Sequence, residues 1–320
     1  MLSRVADSLY WTARYLERAE HTARLLDINI GLMLDLSRVS AEQRWKRVLA
    51  ALGHPRDIEW NDDVYSLVQT LVFDTNHPAS VTACVIAARE NARQIREEIS
   101  TEQWQRLNRL FHDISRLQPP SSSDRQLAEF LPALIDGVYL FQGVTDTTLS
   151  HGEGWRFLQL GKFLERATST AMLLAIYQED VFANMEETVD AYSYLEWIGL
   201  LRACTAFEAY CKVYTADLTY EWILEFLLLD AEFPHSIRFS IDRLHESLEA
   251  IEEESHGQNA DELMRVSGKL QSSLGYAQVS EIRAHDPARY MRGILDQCRR
   301  IHALIYEVYI QYSVQTALSM

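Results

Sequence analysis

The chain has 320 residues, with 46 acidic against 30 basic side chains and a formal net charge of −16. A surface of that sign repels phosphate backbones and anionic lipid at moderate salt, which argues against nucleic acid or a membrane surface as partner. Glycine (12) and proline (7) together reach only about half their usual share, so turns are few and long helices are expected.

Arg4 and Asp7 stand where a secretory signal would be apolar, and no run of membrane-spanning length appears, the nearest being Ile223 to Leu229, which Glu225 interrupts. A soluble cytoplasmic protein is expected. Cys84, Cys204, Cys211 and Cys298 show no metal or redox spacing and read as small buried apolar residues.

From Leu2 to about Leu36, the apolar or small residues Val5, Leu9, Thr12, Leu16, Ala19, Ala23, Leu26 and Ile30 recur at steps of three and four and predict one long amphipathic helix, with Ser3 as its cap. A second helix is expected from Ala41 to Leu52, closed by Gly53-His54-Pro55, and a third from Asp62 to Phe73. The fourth should open with Pro78 in its first turn and reach about Ile99. A fifth follows the capping run Ser100-Thr101-Glu102 and ends before the Pro119 to Ser123 loop; a sixth spans Asp124 to Phe141.

Tyr15 to Leu26 then returns 148 positions later as Phe163 to Leu174, with eight of twelve residues identical. Phe73-Asp74 with Pro78 is answered by Leu229-Asp230 with Pro234, Trp45 by Trp197, and Val138-Tyr139-Leu140 by Val308-Tyr309-Ile310. The pattern predicts an all-α fold of about twelve helices, two fused pseudo-repeated six-helix halves at 1–148 and 149–320, joined near Gly143 to Gly154 in one compact unit. No alternating strand pattern or hairpin signal opposes it.

Both copies keep Leu-Glu-Arg-Ala, as Glu17-Arg18 and Glu165-Arg166, which suits a structural pairing of the halves. Only the first keeps Glu20, His21 and Arg24; the second has Thr168, Ser169 and Met172, so a working site is expected to lean towards the N-terminal half. Arg14, Glu17, Arg18 and His21 fall three or four residues apart and form a polar flank suited to a ligand wall. Arg89-Glu90-Asn91-Ala92-Arg93 places two guanidiniums one turn apart, able to grip a carboxylate or phosphate, or simply a solvated ladder. At the junction, Ser150 and Glu153 fit a capping box, which leaves Trp155 and Arg156 unaccounted for. Phosphate-binding loops, the nucleophile elbow and H-E-x-x-H are absent. The metal-type spacings Glu232 to His235 and Glu253 to His256 are interrupted by proline or end a helix, so no metal is expected.

Tyr10-Trp11-Thr12-Ala13-Arg14-Tyr15-Leu16-Glu17-Arg18-Ala19-Glu20, then Arg89 to Arg93, then Gly152-Glu153-Gly154-Trp155-Arg156 running on to Glu165-Arg166-Ala167, resemble the bacterial alpha-E family over essentially the whole chain. The resemblance implies an all-helical companion of a circularly permuted ATP-grasp amide ligase, often encoded beside a transglutaminase-like protein and sometimes a proteasome-like peptidase. By the same resemblance the functional positions are Arg14, Glu17, Arg18, Glu20, Arg89, Glu90, Arg93, Glu153, Arg156, Glu165 and Arg166. The chain departs from the pattern at Lys162, where arginine is common, and at Thr168, Ser169 and Met172.

The reading that follows is an accessory, substrate-orienting helical protein in amide (peptide) bond formation. It would bind no cofactor itself, draw ATP chemistry from the ligase, and hold a peptide or amino-acid substrate with arginines on carboxylates and Glu17 or Glu90 on an amine. Two alternatives stand beside it: a stand-alone amide hydrolase or acyl transferase using Glu17 or Glu20 with His21, and a non-catalytic scaffold.

Overall fold

The computed structural model describes residues 1–33, 39–53, 58–116, 124–182, 191–215, 217–255 and 260–311; the expected Pro119 to Ser123 loop, the end of the first helix and His256 lie outside them. Among the described residues there is no strand. The first half carries α1 (Ser3–Leu32), α2 (Ala41–Ala51), α3 (Val64–Val68), α4 (Val81–Gln94), α5 (Thr101–Ser115) and α6 (Asp124–Thr148). Then come α7 (Glu153–Asp180), α8 (Ala191–Ala203), α9 (Phe207–Tyr214), α10 (Tyr220–Leu229), α11 (Ile237–Ser255), α12 (Asp261–Gly275), α13 (Val279–Ala284) and α14 (Pro287–Ile305). Single π-helical stretches follow α3 at Gln69–Phe73 and α14 at Tyr306–Ile310. Among the described residues the count exceeds twelve because the short α9 and α13 are set apart, α13 between Gly275, the last residue of α12, and Pro287, the first of α14, and α9 by breaks without glycine or proline. Thr205 and Thr215 take positive φ of 52° and 58°, and these flank α9.

The long helices α1 and α7 form the centre. Neither has a side-chain N-cap, since Leu2 and Gly152 hold the cap positions, so the expected roles of Ser3 and of a Ser150–Glu153 box are not realised. Packing holds these helices instead: α1 fully buries Leu9, Leu16, Leu25 and Leu26, each worth roughly 1.5–3 kcal/mol over exposure. α1 packs on α7, α4, α6 and α8, while α7 packs on α1, α11, α14 and α2. Outside them, α4 leans on α5 and α5 on α6, as α11 leans on α12 and α12 on α14.

The two central helices approach backbone to backbone where Gly161 meets α1. A Cβ there would lie 2.1 Å from the Tyr10 carbonyl oxygen and 3.2 Å from the Ala13 Cβ, so only glycine permits this crossing.

Peripheral elements begin where side chains cap them. Ser40 with Gln43 and Ser100 with Gln103 close capping boxes on α2 and α5. α4 starts at Val81 rather than Pro78, because the Ser80 hydroxyl accepts from the Ala83 amide (3.1 Å) while donating to the Asp74 carbonyl (2.6 Å). Ser236 does the same before α11, donating to the Asp230 carbonyl (2.5 Å) and accepting from the Phe239 amide (3.0 Å). α6 continues past Phe141 to Thr148, since Gly143 is tolerated and Thr145 and Thr148 turn their hydroxyls back onto Phe141 and Val144 carbonyls, both at 2.8 Å.

Candidate functional site

At the α1–α7 crossing each Glu-Arg pair reaches over to the other. Arg166 donates to Glu17 through Nε (2.5 Å) and Nη2 (3.1 Å), and Gln142 of α6 donates to the same carboxylate at 3.1 Å. In the opposite sense Arg18 Nε donates to Glu165 Oε1 at 2.6 Å, while Arg14 Nε holds Oε2 at 2.6 Å. Burial alone would raise the Glu165 carboxyl, but Arg14 and Arg18 overcome it and hold it down at about 2. Glu17, Glu165 and Arg166 are all buried, so deleting one partner strands a charge, a cost of about 3–5 kcal/mol.

Arg14 is further committed through Nη1, which donates to the Tyr10 hydroxyl (3.3 Å) and to His302 Nδ1 (3.1 Å). Facing a guanidinium, Nδ1 must be the unprotonated nitrogen, so the His302 proton sits on Nε2. Burial, with Arg14 beside it, lowers His302 to about 4. One turn on from Glu17, Glu20 is buried and gripped by Arg24, whose Nε donates at 2.8 Å and whose Nη2 also reaches the Tyr139 hydroxyl at 2.5 Å. Burial raises Glu20 in spite of Arg24.

Beside this network lies a cavity of about 240 Å³ between α1 and α7. Arg14, Arg18, His21 and Glu165 supply its polar wall. Thr168, Ser169 and Met172 of α7 face them, and Leu52 and Leu71 help to close the far side. His21 is lowered to about 4 by burial and is therefore neutral at physiological pH, and its Nε2 is buried without a hydrogen-bond partner.

Of the residues expected from sequence, Arg14, Glu17, Arg18, Glu20, His21, Arg24, Glu165 and Arg166 come together on α1 and α7. Five do not join them. Arg89 turns to α5, donating to Asn108 Oδ1 (2.7 Å) beneath Phe111, while Arg93 is taken by Glu90 in an exposed bidentate pair (2.9 and 2.7 Å), so the expected double-guanidinium grip is not formed. Glu153 pairs with the Met1 ammonium at 2.8 Å, and Arg156 lies over the Trp155 ring, which stacks on His151. The cavity is lined from both central helices: α1 supplies Arg14, Arg18 and His21, and α7 supplies Glu165 with Thr168, Ser169 and Met172, the residues at the positions of Glu20, His21 and Arg24.

Sequence reasoning missed His302, which meets Tyr10 across 292 positions at 2.7 Å, and Gln142, which lay beyond the expected end of its helix. It also missed Lys162, lowered to about 8 by burial and by Arg166, one turn away. The unusual lysine at that position was the available signal. All of Cys84, Cys204 and Cys298 are buried, and burial pushes each thiol up to about 12. Among the described residues no group of three His, Cys, Asp or Glu side chains could hold a metal ion, and no helix is long and apolar enough to cross a membrane.

An all-helical chain built on two Glu-Arg pairs exchanged between central helices is thereby defined. The family described as a predicted alpha-helical domain with a conserved ER motif, Alpha-E, matches residues 1–310, and the chain belongs to it. The Glu-Arg dipeptide occurs twice here, at Glu17-Arg18 and Glu165-Arg166. Uncharacterized proteins of Mycobacterium bovis and of Mycobacterium tuberculosis are 23% identical over 268 residues, 78% of this chain. The chain spans only 30% of the length of these relatives. No solved structure matches it.

Proposed function

We propose that the chain is a substrate-orienting accessory protein that acts with an ATP-grasp ligase in amide bond formation, holding a peptide or amino-acid substrate while the ligase supplies ATP chemistry. The observation that carries this reading is the α1–α7 cavity, where arginine cations and an unpartnered neutral histidine converge beside a carboxylate. Such a wall suits recognition and orientation of a carboxylate. Both Glu17 oxygens accept hydrogen bonds from Arg166 or Gln142, an arrangement that favours a fixed structural role over acid-base turnover. A transglutaminase-like protein is a further candidate partner of the same system.

The test is co-purification with a circularly permuted ATP-grasp protein, followed by ATP turnover against a panel of peptides. A stable complex, with turnover that rises on adding the chain and drops when Arg18→Gln replaces it, is expected. No complex and no stimulation would overturn the proposal.

A further inference from the structure

The charge on the cavity wall is unevenly spent. Arg14 has every nitrogen engaged: Nε and Nη2 on Glu165, Nη1 on Tyr10 and His302. Arg18 uses only Nε, on the other Glu165 oxygen, and this leaves its two terminal amino groups at the cavity. Two guanidiniums against one carboxylate leave one positive charge, and it resides on Arg18. His21 is one turn away on the same helix and also lines the cavity; it is neutral, and its Nε2 is enclosed without a hydrogen-bond partner.

The facing wall explains why there is room. Thr168, Ser169 and Met172 stand where the first copy carries Glu20, His21 and Arg24, so two hydroxyls and a thioether replace groups that would have filled and charged the space. The Thr168 hydroxyl is turned back onto the Leu164 carbonyl at 2.7 Å. Met172, Leu52 and Leu71 add apolar side chains to the lining of the same cavity. At about 240 Å³ the cavity is below the roughly 300–1,000 Å³ of drug-sized sites, so it suits one small molecule.

We infer that this cavity binds a single carboxylate carrying a compact aliphatic side chain and a neighbouring amide, the chemistry of a peptide's C-terminal leucine-like residue. Arg18 takes the carboxylate through its two free amino groups, the His21 ring lies beside the amide one turn along the same wall, and the aliphatic group lies against Met172, Leu52 and Leu71. The inference names the substrate class of the site used above and rests on that reading only for its place in amide bond formation. A phosphate group fits less well, with one uncommitted guanidinium and an apolar remainder.

Isothermal titration of the full chain with N-acetyl-leucine, with N-acetyl-leucinamide and with inorganic phosphate tests it without any ligase. Saturable one-to-one binding of the acid is expected, at least tenfold weaker for the amide, and unaffected by phosphate. Arg18→Gln should weaken the acid at least tenfold; Met172→Trp, which fills the cavity and touches no ion pair, should abolish binding. No saturable binding of the acid by the unaltered chain, equal binding of acid and amide, or displacement by phosphate would overturn the inference, and none of these readings needs a variant to fold. Acid binding without stimulation of a ligase would sink the functional reading and leave this one standing; stimulation without acid binding would do the reverse.

Discussion

At the scale of single residues, a glutamate–arginine pair differs greatly in its contribution to stability depending on whether it is buried. Glu165 is enclosed between two guanidiniums, so Glu165→Gln leaves Arg14 and Arg18 facing a neutral amide in a dry crossing. A loss of about 3–5 kcal/mol is expected in denaturant titration. Glu90→Ala, which frees an exposed Arg93, should leave the midpoint almost unmoved, because solvent already screens that pair. The sequence made Arg14, Glu17, Arg18 and Glu165 legible as a group, since their spacing and duplication are local facts. It treated Arg89 and Arg93 as equals of these, because nothing in a run of five residues tells whether a guanidinium turns to an aromatic ring on the next helix. The meeting of His302 with Tyr10 was beyond reach for a different reason: no pattern links positions so far apart.

At the scale of elements, the crossing of α1 and α7 depends on the absence of one atom. Gly161→Ala would place a Cβ against the Tyr10 carbonyl, and since backbone cannot swing aside as a side chain does, α1 must move as a body. A cost of ~1–3 kcal/mol or more is expected, read as a lowered thermal midpoint, together with loss of ligand affinity at the cavity. Gly143→Ala gives the contrast. It lies exposed within α6 with nothing near its missing Cβ, and should stabilise the chain by about 0.5–1 kcal/mol. Most helices were readable from apolar spacing and caps, and the errors have physical causes. The start of α4 moved because a serine hydroxyl outcompeted a proline as a helix signal, and α6 ran on because threonines satisfied their own hydroxyls within it. The breaks around α9 lie at threonines in the left-handed region, a conformation that tertiary packing imposes and composition does not announce.

At the scale of the whole molecule, three partly buried histidines set the response to pH. His21 and His302 are lowered to about 4 and His235 is lowered well below its ordinary value, all first by burial. Their unfolded forms bind protons near pH 6.5 while the folded forms do not, so stability is full above that pH and is lost as pH falls towards 4. Glu165, held at about 2, adds a second loss as pH falls from about 4.5 towards 2. Glu20, Asp27 and Asp242, all raised first by burial, pull the other way, but they start from the carboxylate range, whereas the three histidines start from 6.5, inside the interval between pH 5 and 7. The thermal midpoint at pH 5 is therefore expected below that at pH 7 at equal ionic strength, and His302→Gln should reduce the difference. A midpoint that does not move between the two would show that these imidazoles take up protons without unfolding.

The exchange of counter-ions between α1 and α7 also bears on how the chain reaches its structure. Helices form from near neighbours and form quickly, yet Glu17 waits for Arg166, 149 positions away, and Arg18 waits for Glu165. The centre of this helical protein closes only when its first long helix meets its seventh. Local contacts cannot hurry that encounter, and refolding should run at the slower pace of chains whose decisive contacts are distant.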